Sequence, residues 1–117
     1  MKLDKKKIRR LASFSYVAEY SDFPIEEEKN LGVSIAKECE EGNMWAWCNV
    51  RVTAEFGPFS GVDALCCVSC KDEEEFVKEF FGDMSEEASY MLLQRMQEAA
   101  DTLENVQDLQ LVFQMEE

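Results

Sequence analysis

The sequence predicts a small, single α+β domain, and three observations carry that prediction. The 117 residues, 46% of them hydrophobic, leave room for one domain (1–117) and one modest core. Met44 to Phe56 has strand period: Ala46, Cys48, Val50, Val52, Ala54 and Phe56 alternate with Trp45, Trp47, Asn49, Arg51, Thr53 and Glu55. Stripes of helical period lie on either side of it. The expected architecture is an antiparallel sheet of two or three strands, packed on one face by helices in the rough order α-β-β-α-α.

Taken in order, residues 1–12 form a basic arm or short helix. Residues 13–26 mix aromatics with turn formers and give only a weak signal. Residues 26–41 place Leu31, Ile35 and Cys39 four apart, a helical stripe that stops near Gly42. The hairpin spans 44–70. Gly57-Pro58-Phe59-Ser60-Gly61 makes its turn, and the second strand sets Val62, Ala64, Cys66, Val68 and Cys70 on one side. Residues 72–107 form an acidic helical region. Asp72 to Glu75 favour a helix N-terminus, Phe76, Val77, Phe80 and Phe81 form the apolar face, and Gly82 ends that helix. Asp83 with Glu86 then fits a capping box opening a second helix to about Val106, with Ala88, Met91, Leu92, Met96, Ala99, Leu103 and Val106 on its stripe. In the tail, Leu109, Leu111 and Phe113 alternate with glutamines and Val112, so a third strand is expected there.

Charge sets the functional expectations. The net charge is -13, but residues 1–10 hold six basic side chains against one aspartate, so residues 11–117 carry -18. Such a body opposes nucleic-acid phosphates and anionic membranes and favours a basic protein partner. With no histidine the commonest general base and metal ligand is missing, and no enzyme activity is expected. No apolar run follows the basic start and no stretch is long enough to span a membrane, which points to the cytoplasm. Five cysteines, an odd number with two adjacent, read as reduced thiols.

Three constellations are candidates for chemistry or binding. Cys66-Cys67-Val68-Ser69-Cys70, with Cys48 and Cys39, formally allows a four-cysteine zinc site, but Cys67 and Cys70 fall on opposite faces of a strand. Structural thiols are therefore expected, with no metal and no cofactor. Trp45 and Trp47 share the side opposite the core valines, with Arg51 further along it. They are either covered by Tyr16, Tyr20 and Phe23 or form an open aromatic face for a partner or a homodimer. The acidic series runs through Glu26 to Glu28, Asp72, Glu73, Glu74, Glu75, Glu79, Asp83, Glu86 and Glu87, then Glu98, Asp101, Glu104 and Asp108. It is a solvated face or, taken together, a surface that competes for a basic groove.

The block Trp45-Ala46-Trp47 with Val50-Arg51-Val52-Thr53-Ala54, then Gly57, Gly61, Asp63 and Leu65, then Phe76 in an acidic helix, resembles small uncharacterised acidic proteins of phages and other mobile elements. The likeness spans roughly residues 44–105. It implies a mobile-element origin and an anti-defence role, and no catalytic residues come with it. The expectation is thus a non-enzymatic inhibitor of the anti-CRISPR or anti-restriction kind. It would block the basic nucleic-acid groove of a host effector without touching nucleic acid itself. The alternative is a structural or assembly adaptor that uses the aromatic sheet face.

Overall fold

A computed structural model describes residues 2–25 and 30–115, side chains excepted at 30–33 and 108–115. Its centre is a three-stranded antiparallel sheet in the order β1-β2-β3, formed by β1 (Ser13–Tyr20), β2 (Cys48–Phe56) and β3 (Phe59–Val68). Helix α1 (Lys5–Leu11) precedes β1, and α2 (Asn30–Glu40) with a 3-10 turn (Met44–Ala46) separates β1 from β2. After β3, α3 (Glu73–Phe76), a π turn (Val77–Phe81) and α4 (Gly82–Met115) follow one another directly. The α+β reading stands, as does the antiparallel hairpin.

The third strand is β1, from the segment with the weak signal, and the tail expected to be a strand is the end of α4. Ser13 pairs with Glu55 and Tyr20 with Cys48, so Tyr16 and Ala18 lie beside Val52 and Val50 on the core side. Alternation in β1 is hard to read because its sheet-facing set includes tyrosines and its outer set includes Val17. Local β pattern in the tail, by contrast, yields to an uninterrupted helix already nucleated upstream.

The turn is tighter than expected. Only Gly57 and Pro58 connect β2 to β3, with Gly57 at φ +57° in the first central position, where a type II′ hairpin places glycine. Gly61 is therefore a strand residue, opposite Ala54 on the buried side, and Asp63 follows it opposite Val52. The parity expected for β3 is reversed over its first half: Val62, Ala64 and Cys66 are exposed. A bulge corrects it. Between Val50↔Leu65 and Cys48↔Val68 the register slips by one, because β3 holds one more residue there than β2. Cys67, at φ +59°, donates its backbone N–H to the Asn49 Oδ1 at 3.3 Å. Beyond the bulge Val68 and Cys70 return to the core, as their alternation predicts.

Helix α2 ends as foreseen, on Gly42 at φ +94°. Asn43 N–H reaches the Glu38 carbonyl and Gly42 N–H the Cys39 carbonyl, the paired bonds of a Schellman cap. Its expected start at residue 26 lies outside the described residues. Gly82 does not end a helix. At φ -61° it sits inside a helical run from Glu73 to Met115, and the cap lies earlier, where Asp72 Oδ1 accepts from Glu75 N–H at 2.9 Å. Asp-x-x-Glu occurs at 72–75 as well as at 83–86, and only in the first copy does the aspartate have the non-helical backbone of a cap, since Asp83 lies inside α4.

Helix α4 lies across β2 and β3 and closes the core with Met84, Ala88, Leu92 and Leu93 against Cys48, Val50, Val52 and Ala54. Ile8 of α1 joins this cluster. Near Ala100, the last buried residue of α4 among the described side chains, the helix runs out of sheet to cover, and Leu103 and Val106 of the predicted stripe are 49% and 45% exposed. The 34 residues of α4 span about 50 Å at 1.5 Å per residue, far more than the sheet is wide.

Candidate protein-binding surface

The aromatic residues proposed for binding are built into the fold. Trp45 lies in the 3-10 turn, ahead of β2, and its ring is 5.2 Å from Phe76 and 6.4 Å from Tyr16 between centroids. Phe76 is fully buried; it also stacks on Phe80 and lies beside Phe81. The π turn brings Phe80 and its neighbour Phe81 both to the core side, leaving Val77 exposed. Trp47, just before β2, donates its indole N–H to the Phe23 carbonyl at 2.9 Å. The open face of two tryptophans does not form, because Met44–Ala46 is a 3-10 turn, and Trp45 on it leaves the strand alternation that Trp47, with extended backbone, begins. Cover by Tyr16 and the N-terminal segment is what the fold realises.

Arg51 stands apart on the outer sheet face, between Val17 of β1 and Ala64 of β3, and is exposed. A shallow depression there is lined by Val17, Glu19, Asn49, Arg51, Ala64 and Cys66. Arg51 and the acidic helices occupy opposite sides of the sheet, so the expected binding residues do not converge on one site.

The carboxylates of residues 72–87 divide by what they touch. Asp72 caps α3, Glu75 Oε1 accepts from Lys71 N–H, and Glu73 accepts the Tyr16 hydroxyl. That last bond, together with burial and the Glu73 charge, raises the Tyr16 pKa above its ordinary 10.0. Glu74, Glu79, Asp83, Glu86 and Glu87 are exposed and, among the described residues, their carboxylates make no hydrogen bond or ion pair. Asp83 and Glu87 are one turn apart on α4, about 6 Å along the axis, with Glu86 beside them. Glu98 and Asp101 extend the solvent side after a stretch whose only charge is Arg95. Directly beneath, Phe76, Met84 and Ala88 are buried, so a packed helix holds these charges and not a loop. Glu26 to Glu28 lie outside the described residues.

The cysteines are free thiols with different surroundings. Cys48 and Cys70 are buried, and Cys48 donates to the Val68 carbonyl at 3.7 Å. Burial pushes the Cys48 thiol up to about 11 and raises that of Cys70, which also faces Glu75, Asp72 and Glu79. Cys66 is exposed, and Cys67 lies 3.8 Å from the Ser21 hydroxyl. Among the described residues no three His, Cys, Asp or Glu side chains are arranged to hold a metal ion, and no helix is long and apolar enough to cross a membrane. No protein-family model, curated protein or solved structure matches the chain.

Proposed function

We propose that this chain is a non-enzymatic, protein-binding inhibitor whose acidic helical surface occupies the basic nucleic-acid groove of a partner. An anti-defence protein of the anti-CRISPR or anti-restriction kind fits that description. The carrying observation is the set Glu74, Glu79, Asp83, Glu86 and Glu87, exposed and unpaired on a helical run whose other side is the core. A folded helix needs no backbone ordering on binding, which leaves only side-chain ordering to offset, and the attraction of its carboxylates to lysine and arginine steers association. A helix carries fewer charges per length than a duplex, with one phosphate per about 1.7 Å of axis. The surface therefore suits a local stretch of groove and not its whole length.

The adaptor alternative rests on an aromatic sheet face, and the engagement of Trp45 with Phe76 and of Trp47 with the Phe23 carbonyl gives it less support than the acidic helices give the inhibitor.

Capture from host extract tests the inhibitor reading with wild type and the triple variant Glu79→Lys, Glu86→Lys, Glu87→Lys, chosen because none of the three side chains caps or packs. Wild type is expected to recover a basic nucleic-acid-binding protein at low salt and to displace a labelled oligonucleotide from it. The variant and high salt each abolish both. Recovery of the same partner by the variant at matched salt overturns the reading.

A further inference from the structure

We infer that the projecting end of α4 is a self-association surface, a short coiled-coil seam that pairs with a second copy of this chain. Past Ala100 the helix leaves the sheet while its apolar stripe continues, and Leu103 and Val106 stand half in solvent. Leu92, Met96, Ala99, Leu103 and Val106 succeed one another at steps of four, three, four and three. In the sequence the same step reaches Gln110 and Phe113. That is the 3.5-residue period of a coiled coil, with Met96 and Leu103 at a, and Leu92, Ala99 and Val106 at d. Towards the sheet the seam serves the core, where Leu92 is fully buried; beyond it, among the described residues, Leu103 and Val106 are about half exposed.

Charge selects the occupant. Two bodies of -13 repel, and an acidic helix would ordinarily be a poor surface for self-pairing. Here the carboxylates of this stretch, Glu98, Asp101 and Glu104, fall at c, f and b, away from the seam. From Ala100 onward the flanking e and g positions Ala100, Thr102 and Gln107 are uncharged, and the one charged flank of the seam, Arg95 at g beside Met96, lies back towards the sheet. A second copy therefore meets an apolar seam with neutral flanks, whereas a basic partner finds its carboxylates on the other side. The pairing is isologous, the same patch from each copy, and closes as a dimer. Because the helix is already nucleated by its packed half, association does not have to form it.

This surface is separate from Glu79 to Glu87, and salt tells the two apart. Screening weakens binding between acidic helix and basic groove, but relieves the repulsion between two like-charged copies. Sedimentation velocity from micromolar to near-millimolar protein is expected to show mass rising from the 13.5 kDa chain towards twice that value, further at high salt than at low. The double variant Leu103→Glu, Val106→Glu is expected to remain monomeric throughout, with the melting temperature of wild type at micromolar protein, where both are monomers, since neither side chain is in the core. Glu98→Gln with Asp101→Gln, on the far side, is expected to leave the dimer intact. A wild type that stays monomeric across the range overturns the inference, as does a double variant that still dimerises.

Discussion

The Ala88 backbone of α4 rests directly on Gly61 of β3: a β-carbon added to Gly61 would lie 2.2 Å from the Ala88 carbonyl oxygen and 2.2 Å from the Leu92 amide nitrogen. Helix and strand approach so closely that no side chain fits between them, and both obstacles are backbone atoms that cannot rotate away. This contact fixes where α4 crosses the sheet and thereby which residues of α4 reach solvent.

Gly61→Ala is expected to destabilise the domain by at least about 1–3 kcal/mol, the usual cost of overpacking a core. Gly82→Ala is expected to do the opposite. Gly82 has helical φ and open space where its β-carbon would be, so alanine stabilises by roughly 0.5–1 kcal/mol. Thermal melts of the two variants should therefore move in opposite directions. A Gly61→Ala protein melting with wild type would show that α4 does not cross at Gly61.

The hairpin and the core of β2 were legible because Cys48 to Phe56 combines alternation with β-branched residues, and Gly57-Pro58 is a strong turn signal. Gly61 was hidden by its resemblance to a turn residue; only the position of a distant helix explains it. The parity of β3 failed for a related reason. Val62 and Ala64 look like core, but the two-residue turn fixes the register, and the bulge that restores Val68 to the core has no glycine to mark it. The role of Trp45 depends on partners at Tyr16 and Phe76, remote in sequence, whereas the exposed carboxylates are legible anywhere they occur. What sequence could not divide was the acidic run itself, because capping Asp72 and free Glu74 differ only in their neighbours.

Phe76 joins these remote parts, and Phe76→Ala is expected to cost about 3–5 kcal/mol, a large fraction of the stability of a domain this size. Its ring touches Tyr16, Trp45, Phe80 and Phe81, so nothing nearby can collapse into the space without disturbing a second ring. Denaturant unfolding followed by tryptophan fluorescence measures the loss, and a fall below about 1 kcal/mol would contradict the cluster.

Alkaline pH should unfold the protein through thiols and a phenol. The folded state holds Cys48 and Cys70 above the ordinary 9.0 and Tyr16 above 10.0, in each case favouring the neutral form. The stabilisation from each is complete below its unfolded value and is lost as pH rises through its folded value, near 11 for Cys48. Stability is thus expected to decline from about pH 9 upward. At neutral pH a thiol alkylating reagent should modify exposed Cys66 first and leave Cys48 and Cys70 intact until the chain unfolds, an order that mass spectrometry of digested protein reads directly.

Cys67 occupies a backbone position that suits glycine. Its φ of +59° is left-handed, a conformation costing an L-residue roughly 1–2 kcal/mol, while glycine gives back roughly 0.5–1 kcal/mol through the extra freedom of its unfolded chain. Cys67→Gly is therefore expected to be neutral or to stabilise by up to about 1 kcal/mol, and Cys67→Val, β-branched at the same φ, to destabilise. The bulge also needs Asn49, whose Oδ1 accepts the Cys67 N–H. Asn49→Ala leaves that partly buried donor without its acceptor, at about 1–2 kcal/mol, and Asn49→Asp, which keeps an acceptor oxygen in place, should recover most of the loss. Chemical denaturation of the four variants separates backbone strain from the hydrogen bond. If Cys67→Gly and Cys67→Val were equally stable, the register slip between β2 and β3 would not depend on a left-handed residue at all.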